Sequence, residues 1–148
     1  MKIILSAFML AVFAVYTSAQ NRLEKARTLA KANNELILLN FSGSDWCVPC
    51  IKLHKNIIES PEFKKLETDD KLLYLNADFP RSKKNQPAAD IRKENEMLAD
   101  RYNPKGLFPY TILMNGEGRI LKTWQGLPAE SAAEFTSAIL AFKDAQKQ

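Results

Sequence analysis

Two cysteines separated by two residues are the part of this sequence best suited to chemistry. Cys47 and Cys50 are the only cysteines among 148 residues. A disulfide between them would close a very short loop, which adds little stability because it constrains the unfolded chain little. The pair therefore favours a redox or a metal-binding role over a structural one.

The residues around the pair indicate how it is positioned. A continuous apolar run of strand length, residues 36–41, precedes it, and a helical pattern over residues 51–58 follows it. Pro49 is compatible with the first turn of that helix. Cys47 then lies at the helix N-terminus, where free backbone N–H groups and the helix dipole favour a thiolate. We expect Cys47 to be the exposed nucleophile and Cys50 to be the shielded resolving thiol.

His54 is the only histidine, and it lies four residues after Cys50. On a helix this spacing places both residues on one face. His54 could tune the cysteines, or it could complete a zinc or copper ligand set with Cys47 and Cys50. The simpler interpretation is a half-buried helix histidine. Because no fourth ligand is evident, we predict no bound metal and no cofactor, and we retain a metal carrier as an alternative function.

The N-terminal segment, residues 1–19, has the pattern of a signal peptide. Lys2 is followed by an almost unbroken apolar run over the fourteen residues 3–16, and then by the small residues Thr17, Ser18 and Ala19. An apolar run of this length is short of the roughly 20 residues that span a bilayer. We expect cleavage after Ala19, a mature chain of residues 20–148 and a periplasmic or secreted location. An uncleaved N-terminal anchor is the alternative.

The remaining patterns alternate between helices and strands. The predicted helices are 22–33, 51–58, one starting at 60–61, 91–102 and 129–142, and the predicted strands are 36–41, 72–77, 110–114 and 119–124. Asn115 to Gly118 is a hairpin turn signal. This order predicts one α/β domain with a central mixed, mostly parallel sheet flanked by helices, a closing antiparallel hairpin and a C-terminal helix.

Charge and loop composition say less about function. The net charge of +4 is modest, and the lysines are scattered among acids, as in residues 64–67, so no nucleic-acid partner is expected. We expect a monomer. Asp45, in the polar loop before the cysteines, is interpreted as a solvated acid, and the polar, basic residues 80–87 as an exposed loop.

The sequence resembles the thioredoxin superfamily. The resemblance is carried by the strand 37–41, by Trp46-Cys47-Val48-Pro49-Cys50, by the segment 106–111, by the turn 115–118 and by the last helix, in that family's order. The segment 41–47 looks most like the secreted thioredoxin-like proteins common in Bacteroidetes-type bacteria. The resemblance covers the mature chain except for an apparent insertion near 79–94.

The resemblance implies a thioredoxin-like fold and a thiol–disulfide oxidoreductase that acts on exported protein thiols as a reductant or exchanger. Cys47 and Cys50 would be catalytic, and Pro109 matches the family's cis-proline. Trp46, Phe108 and Pro109 are then the expected substrate contacts. A reductant in an oxidising compartment needs electrons, so we expect a membrane thiol reductase as a partner besides the protein thiol and disulfide substrates.

Asn40 departs from the family pattern. Many thioredoxins have a buried acid near the end of the strand that precedes the cysteines, and Asn40 is the matching position. An amide cannot exchange the proton that the resolving cysteine must lose. A thioredoxin-fold adaptor that binds partners and turns over slowly is therefore a further alternative.

Overall fold

The computed structural model describes residues 21–69 and 71–146, so the predicted signal peptide lies outside the described residues. The elements in chain order are α1 (Arg22–Asn33), β1 (Leu36–Ser42), α2 (Val48–Leu53), α3 (Pro61–Thr68), β2 (Leu72–Asp78), α4 (Ala89–Tyr102), β3 (Tyr110–Met114), β4 (Ile120–Gln125) and α5 (Ala132–Ala145). A π-helical turn, His54–Ile58, continues α2, and a 3₁₀ turn, Lys83–Asn85, precedes α4. None of the helices in these residues is long and apolar enough to cross a membrane.

The four strands form one mixed sheet in the order β2-β1-β3-β4. The predicted α/β class, closing hairpin and C-terminal helix are confirmed. The expectation that parallel pairs would predominate is wrong, because β1 pairs with β2 in parallel but β1–β3 and β3–β4 are antiparallel. The connection through α4 returns to the end of the sheet that it left, so Tyr110, at the start of β3, pairs with Phe41, near the end of β1. Strand periodicity carries no information on that return.

Strand β1 is buried along its whole length, as its apolar run predicts. Its side chains alternate between two faces of the sheet. Leu38 packs in a core cluster with Phe63 of α3 and Phe135 of α5, whereas Leu39 packs in a second cluster with Leu23 of α1. Helices on both faces thus hold the strand that leads to the cysteines.

Helix caps explain where two helices begin. Ser60 accepts the N–H of Phe63 and precedes Pro61, as the pattern predicted for α3. Ser131 and Glu134 form a capping box, which places the start of α5 at Ala132, three residues later than the predicted start.

Candidate active site

Cys47 and Cys50 are joined by a disulfide at the start of α2. The S–S distance is 2.16 Å and the Cα atoms are 5.2 Å apart. Cys47 is the N-cap residue, and its Sγ accepts the backbone N–H of Cys50 at 3.3 Å. Pro49 lies in the first turn, so the predicted helix start is confirmed. The N-terminus of α2 therefore faces the sulfur of Cys47, as chemistry through a thiolate requires.

The two cysteines differ little in exposure. Cys47 is 5% exposed and Cys50 is 3% exposed, so the expectation of an exposed Cys47 is wrong for the disulfide form. The side chain of Cys47 turns inward because its sulfur both caps α2 and bonds to Cys50. Apolar side chains are exposed beside the disulfide instead, with Val48 at 60% and Ile51 at 44%.

Trp46 joins the cysteine loop to two other segments. Its indole Nε1–H donates to the carbonyl of Phe79 at 2.8 Å, and its ring meets Phe108 edge to face at 5.5 Å between centroids. The guanidinium of Arg81 lies 4.0 Å over the same ring. A Cβ at Gly43 would lie 2.3 Å from the indole, so only glycine fits beneath it. The structure thus brings together the predicted contacts Trp46 and Phe108 beside Cys47.

Pro109 follows Phe108 through a cis peptide bond, as expected. Pro109 is buried, and its carbonyl accepts the N–H of Gly126 at 2.8 Å. Because β3 begins at the next residue, this bond lies at the end of the sheet where β1 delivers the cysteine loop.

Asp45 is partly exposed, as the sequence interpretation expects, but it also accepts three hydrogen bonds that the interpretation missed. Its carboxylate accepts the backbone N–H groups of Arg81 at 2.8 Å and Ser82 at 2.9 Å, and the amide of Asn85 at 3.0 Å. These bonds hold the pKa of Asp45 below its ordinary value. The residue fastens the loop after β2 to the cysteine loop. Its partners lie 36 to 40 positions away, so no local pattern could have indicated them.

A second carboxylate, that of Asp78, holds the cysteine loop to the end of β2. Asp78, at the end of β2, accepts the N–H of Ser44 at 2.9 Å and the hydroxyl of Ser44 at 2.5 Å. It also accepts the hydroxyl of Ser42 at 3.0 Å. Sequence reasoning missed this role as well, because it depends on the parallel pairing of β1 and β2.

A pocket of about 320 Å³ lies on the other side of the disulfide, next to Cys50. We call it the rear pocket; it is lined by Asn40, Ser42, Ser44, Cys50, Ile51, His54, Lys55, Glu59, Tyr74 and Asn76. Asn40 is 3% exposed. Its carboxamide accepts the hydroxyl of Thr111 at 2.9 Å and donates to Asn76 at 3.1 Å and to Tyr74 at 3.4 Å.

The inner wall of the rear pocket is polar but uncharged at neutral pH. Asn40 and Asn76 do not titrate, and burial raises the pKa of Tyr74 to about 12. The ionisable groups Lys55, His54 and Glu59 are exposed. None of the inner groups can therefore take a proton from Cys50 near pH 7.

His54 is more exposed than the predicted half-buried histidine. Its Nε2 lies 3.3 Å from the carboxylate of Glu59, and both side chains are more than half exposed. Across residues 21–69 and 71–146, no group of three or more His, Cys, Asp and Glu side chains could hold a metal ion. The hypothetical set of Cys47, Cys50 and His54 is not assembled in this structure.

A family model described as a thioredoxin-like domain matches residues 23–143. The chain belongs to the thioredoxin-like family. The cysteine pair at a helix start and the cis-proline at the facing strand agree with this membership.

Among proteins of this thioredoxin-like family, the chain is similar to the disulfide bond reductase DsbH of Chlamydia pneumoniae. The two are 33% identical over 114 residues, which is 77% of this chain and 66% of DsbH. The thioredoxin-related protein DsbJ of the same organism is 36% identical over 84 residues, or 56% of this chain and 23% of DsbJ. The chain thus spans just under two thirds of DsbH and less than a quarter of DsbJ.

A solved structure named DsbH oxidoreductase has the same fold. It superposes with a TM-score of 0.69 at 30% identity and covers 80% of this chain and 79% of that one.

Proposed function

We propose that this chain is a thiol–disulfide oxidoreductase that acts on exported protein thiols as a reductant or exchanger, with Cys47 and Cys50 as its catalytic residues. The observation that carries the proposal is the disulfide at the N-terminus of α2, where Cys47 caps the helix beside exposed apolar side chains. Similarity to a protein named as a disulfide bond reductase supports the reducing direction.

The reaction starts from the dithiol. The Cys47 thiolate attacks one sulfur of a substrate disulfide, and the other substrate sulfur leaves as a thiolate and takes up a proton. Cys50 then loses its proton and attacks the sulfur of Cys47, which releases the second substrate thiol. Two electrons pass to the substrate, and the Cys47–Cys50 disulfide remains. A dithiol donor, for which a membrane thiol reductase is the expected class, restores the reduced form.

The proton of Cys50 leaves through the rear pocket. Asn40 and Tyr74 cannot accept it near neutral pH, so it passes to water or to the exposed pair of His54 and Glu59, which line the same pocket. This route replaces the buried acid of many thioredoxins and predicts a slower resolving step.

The substrate chain docks on the other side, on what we call the docking surface, formed by Trp46, Val48, Phe108 and Pro109. Trp46 and Phe108 are half-buried and in contact, and Val48 is exposed. An extended substrate segment would lie along the backbone at Phe108, because Pro109 has no N–H and its carbonyl is already bonded to the N–H of Gly126.

The organisation of the chain completes the proposal. Residues 1–19 act as a signal peptide and send the protein to the periplasm or outside the cell. Residues 20–148 form a single domain that works as a monomer, with 79–94 inserted into the family's pattern. The intact mass of the exported protein tests the cleavage after Ala19.

An insulin-reduction assay tests the activity. The wild-type chain with a dithiol donor should reduce insulin, and Cys47→Ser should abolish the reduction. The alternative, which the amide at Asn40 favours, is an adaptor with slow catalytic turnover. Such a chain would bind partner proteins, but with it insulin would be reduced no faster than by the donor alone.

A further inference from the structure

Three segments meet at Trp46, next to the disulfide, and none of them contains an acidic residue, although Asp45 and Glu59 directly flank the first of them. They are the cysteine segment 46–58, the loop 79–87 after β2 and the loop 103–109 that leads to Pro109. They hold six of the chain's 21 basic residues and none of its 17 acidic residues. We call these six the basic collar; all are exposed, and they are Lys52, Lys55, Arg81, Lys83, Lys84 and Lys105.

The basic collar is not neutralised by ion pairs. Within the part of the chain that the structure describes, none of its six members has a carboxylate oxygen within 4 Å, whereas Lys64 and Lys65 on α3 are paired with Glu67 and Asp69. The carboxylates that approach the site, those of Asp45, Asp78 and Glu59, are bound to N–H groups, hydroxyls or His54. Six cations against these three carboxylates leave a local net charge of +3, and the net charge of the whole chain is +4.

The loop 79–87 is held in place beside Cys47. Asp45 and Trp46 bind its backbone at Arg81, Ser82 and Phe79. Stacking fixes the guanidinium of Arg81 over the indole of Trp46, where its edge remains available to donate to a carboxylate. The backbone of this loop and the guanidinium of Arg81 are therefore held beside the cysteine loop before any partner arrives.

We propose that the basic collar selects partner proteins whose reacting cysteines are flanked by acidic residues. The inference rests on the proposed function and names its substrate class. A patch of one sign around a reacting group raises the encounter rate of oppositely charged partners by roughly 10- to 1,000-fold, and salt reverses the effect. An acidic protein segment suits the collar better than a membrane does, because Arg81 lies over Trp46 and Lys55 lines the rear pocket with Cys50, next to the disulfide to which a cysteine must come.

Three synthetic peptides test the proposal. They share one intramolecular disulfide and differ in their flanks, which are four Glu, four Gln or four Lys residues. The purified chain, reduced beforehand and freed of reductant, is mixed with each, and the second-order rate constant of peptide reduction is measured by acid quenching and chromatography. At low salt we expect the Glu peptide to react about tenfold faster than the Lys peptide, and in 0.5 M salt we expect the ratio to approach one.

Matched variants locate the effect. Lys83→Gln with Lys84→Gln should lower the ratio of the Glu to the Lys rate constants several-fold. Lys31→Gln with Arg119→Gln removes the same charge at the opposite end of β1, where Lys31 lies against Gly116, and should leave the ratio unchanged. Equal rates for the Glu and Lys peptides at low salt, or a ratio that the Lys83 and Lys84 changes do not lower, would overturn the proposal.

A binding measurement separates this proposal from the proposed function. Fluorescent Glu and Lys peptides with serine in place of both cysteines are titrated with the oxidised chain, and anisotropy gives their affinities. Tighter binding of the Glu peptide supports selection by the basic collar, whether or not the chain reduces any peptide. Failure to reduce the Gln peptide would refute only the proposed oxidoreductase activity. Equal peptide binding, together with collar-dependent binding to vesicles of one part phosphatidylglycerol and three parts phosphatidylcholine, would assign the collar to a membrane surface and overturn the proposal.

Discussion

The two sides of the disulfide differ in kind. On the side of Cys47, the docking surface is apolar and aromatic, and the loop 79–87 is fastened to it by Asp45 and Trp46. On the side of Cys50, the rear pocket is walled by neutral amides and a phenol, and a π-helical turn with an exposed ion pair lies next to it. In the proposed reaction, the Cys47 side holds the substrate on a fixed surface. The Cys50 side lets the proton of Cys50 leave without a buried acid.

Exposure to solvent does not distinguish the roles of the two cysteines. Both cysteine residues are buried, at 5% and 3% exposure. What separates them is position, because Cys47 caps α2 and faces its free N–H groups, whereas Cys50 lies inside the helix and lines the rear pocket.

The largest effect is expected from removing one cysteine at a time. Cys50→Ser should trap mixed disulfides with substrate proteins, because Cys47 attacks and no resolving thiol follows. Cys47→Ser should trap none. Non-reducing electrophoresis of each variant, mixed as the reduced form with an oxidised substrate, gives the measurement. Equal trapping by both variants would remove the distinction between the two sides.

The reduction potential reports how strongly the docking side stabilises the Cys47 thiolate. Val48 and Pro49 offer no side-chain donor, so we expect a value between about −200 and −270 mV. Val48→His, which adds a donor, should raise it by about 30 mV or more, a tenfold change in the equilibrium constant. Equilibration with glutathione followed by alkylation and mass measurement checks both values. A wild-type value above about −150 mV would make the chain a disulfide donor.

Asn40→Asp places an acid in the rear pocket. The carboxylate can accept the proton of Cys50, so the resolving step should speed up about tenfold or more at neutral and higher pH. Folding should be weakened by about 1–3 kcal/mol, because the buried amide donor to Asn76 is lost. Rapid-quench measurement of the mixed disulfide gives the rate, and urea unfolding gives the stability.

The control for this change is Asn95→Asp, which alters an equally buried asparagine on α4 outside the pocket. It should destabilise the fold without changing the resolving rate. An unchanged rate in Asn40→Asp would show that proton removal does not limit the step.

Asp45→Asn should loosen the docking side. The neutral amide accepts less strongly, so amide hydrogen exchange at Arg81 and Ser82 should rise several-fold. Because the folded-state pKa of Asp45 is lowered, its ionised carboxylate stabilises the folded loop fully at neutral pH. This stabilisation is lost as the pH falls below about 3.8, the ordinary pKa. In the wild type, amide hydrogen exchange at Arg81 and Ser82, corrected for its intrinsic pH dependence, should therefore also rise below this pH. Asp69→Asn, at the exposed C-cap of α3, is the control, and matching behaviour in it would contradict the fastening role.

Tyr74→Phe should have the smallest effect at neutral pH, a loss of about 0.5–1 kcal/mol for one long hydrogen bond to Asn40. Its signature lies at high pH. Because the folded-state pKa of Tyr74 is raised from 10.0 to about 12, the folded chain binds more protons than the unfolded chain between these values, and stability falls as the pH rises. The wild type should lose on the order of 2 kcal/mol more than Tyr74→Phe over this range. Parallel losses would place the phenol in contact with water.

Much of the site could be predicted because its causes are local. The apolar run before the cysteines indicates a strand buried on both faces, and β1 is such a strand. Pro49 and the cysteine spacing indicate a helix start, and Cys47 caps α2. The segment from Phe108 to Thr111 carried the family resemblance that predicted the cis bond at Pro109.

The parts that could not be predicted depend on partners far away in the chain. Whether β3 would run parallel or antiparallel to β1 depended on the path of the connection through α4, which no periodicity encodes. Asp45 follows a polar loop that suggests a solvated acid, and nothing next to Asp78 in the sequence indicates its role, because the hydrogen-bond partners of both carboxylates lie more than thirty residues away.

Local sequence therefore determines the reacting groups and the elements that carry them, because helix capping, strand burial and cysteine spacing act over a few residues. The tertiary structure alone determines what surrounds each sulfur. It folds the loop 79–87 onto Trp46 and so assembles the basic collar, and it aligns Asn40, Asn76 and Tyr74 across two parallel strands to form the rear pocket. The physical reason is that hydrogen bonds, stacking and charge act through short distances in space, and only the packed sheet brings these separate segments within that range.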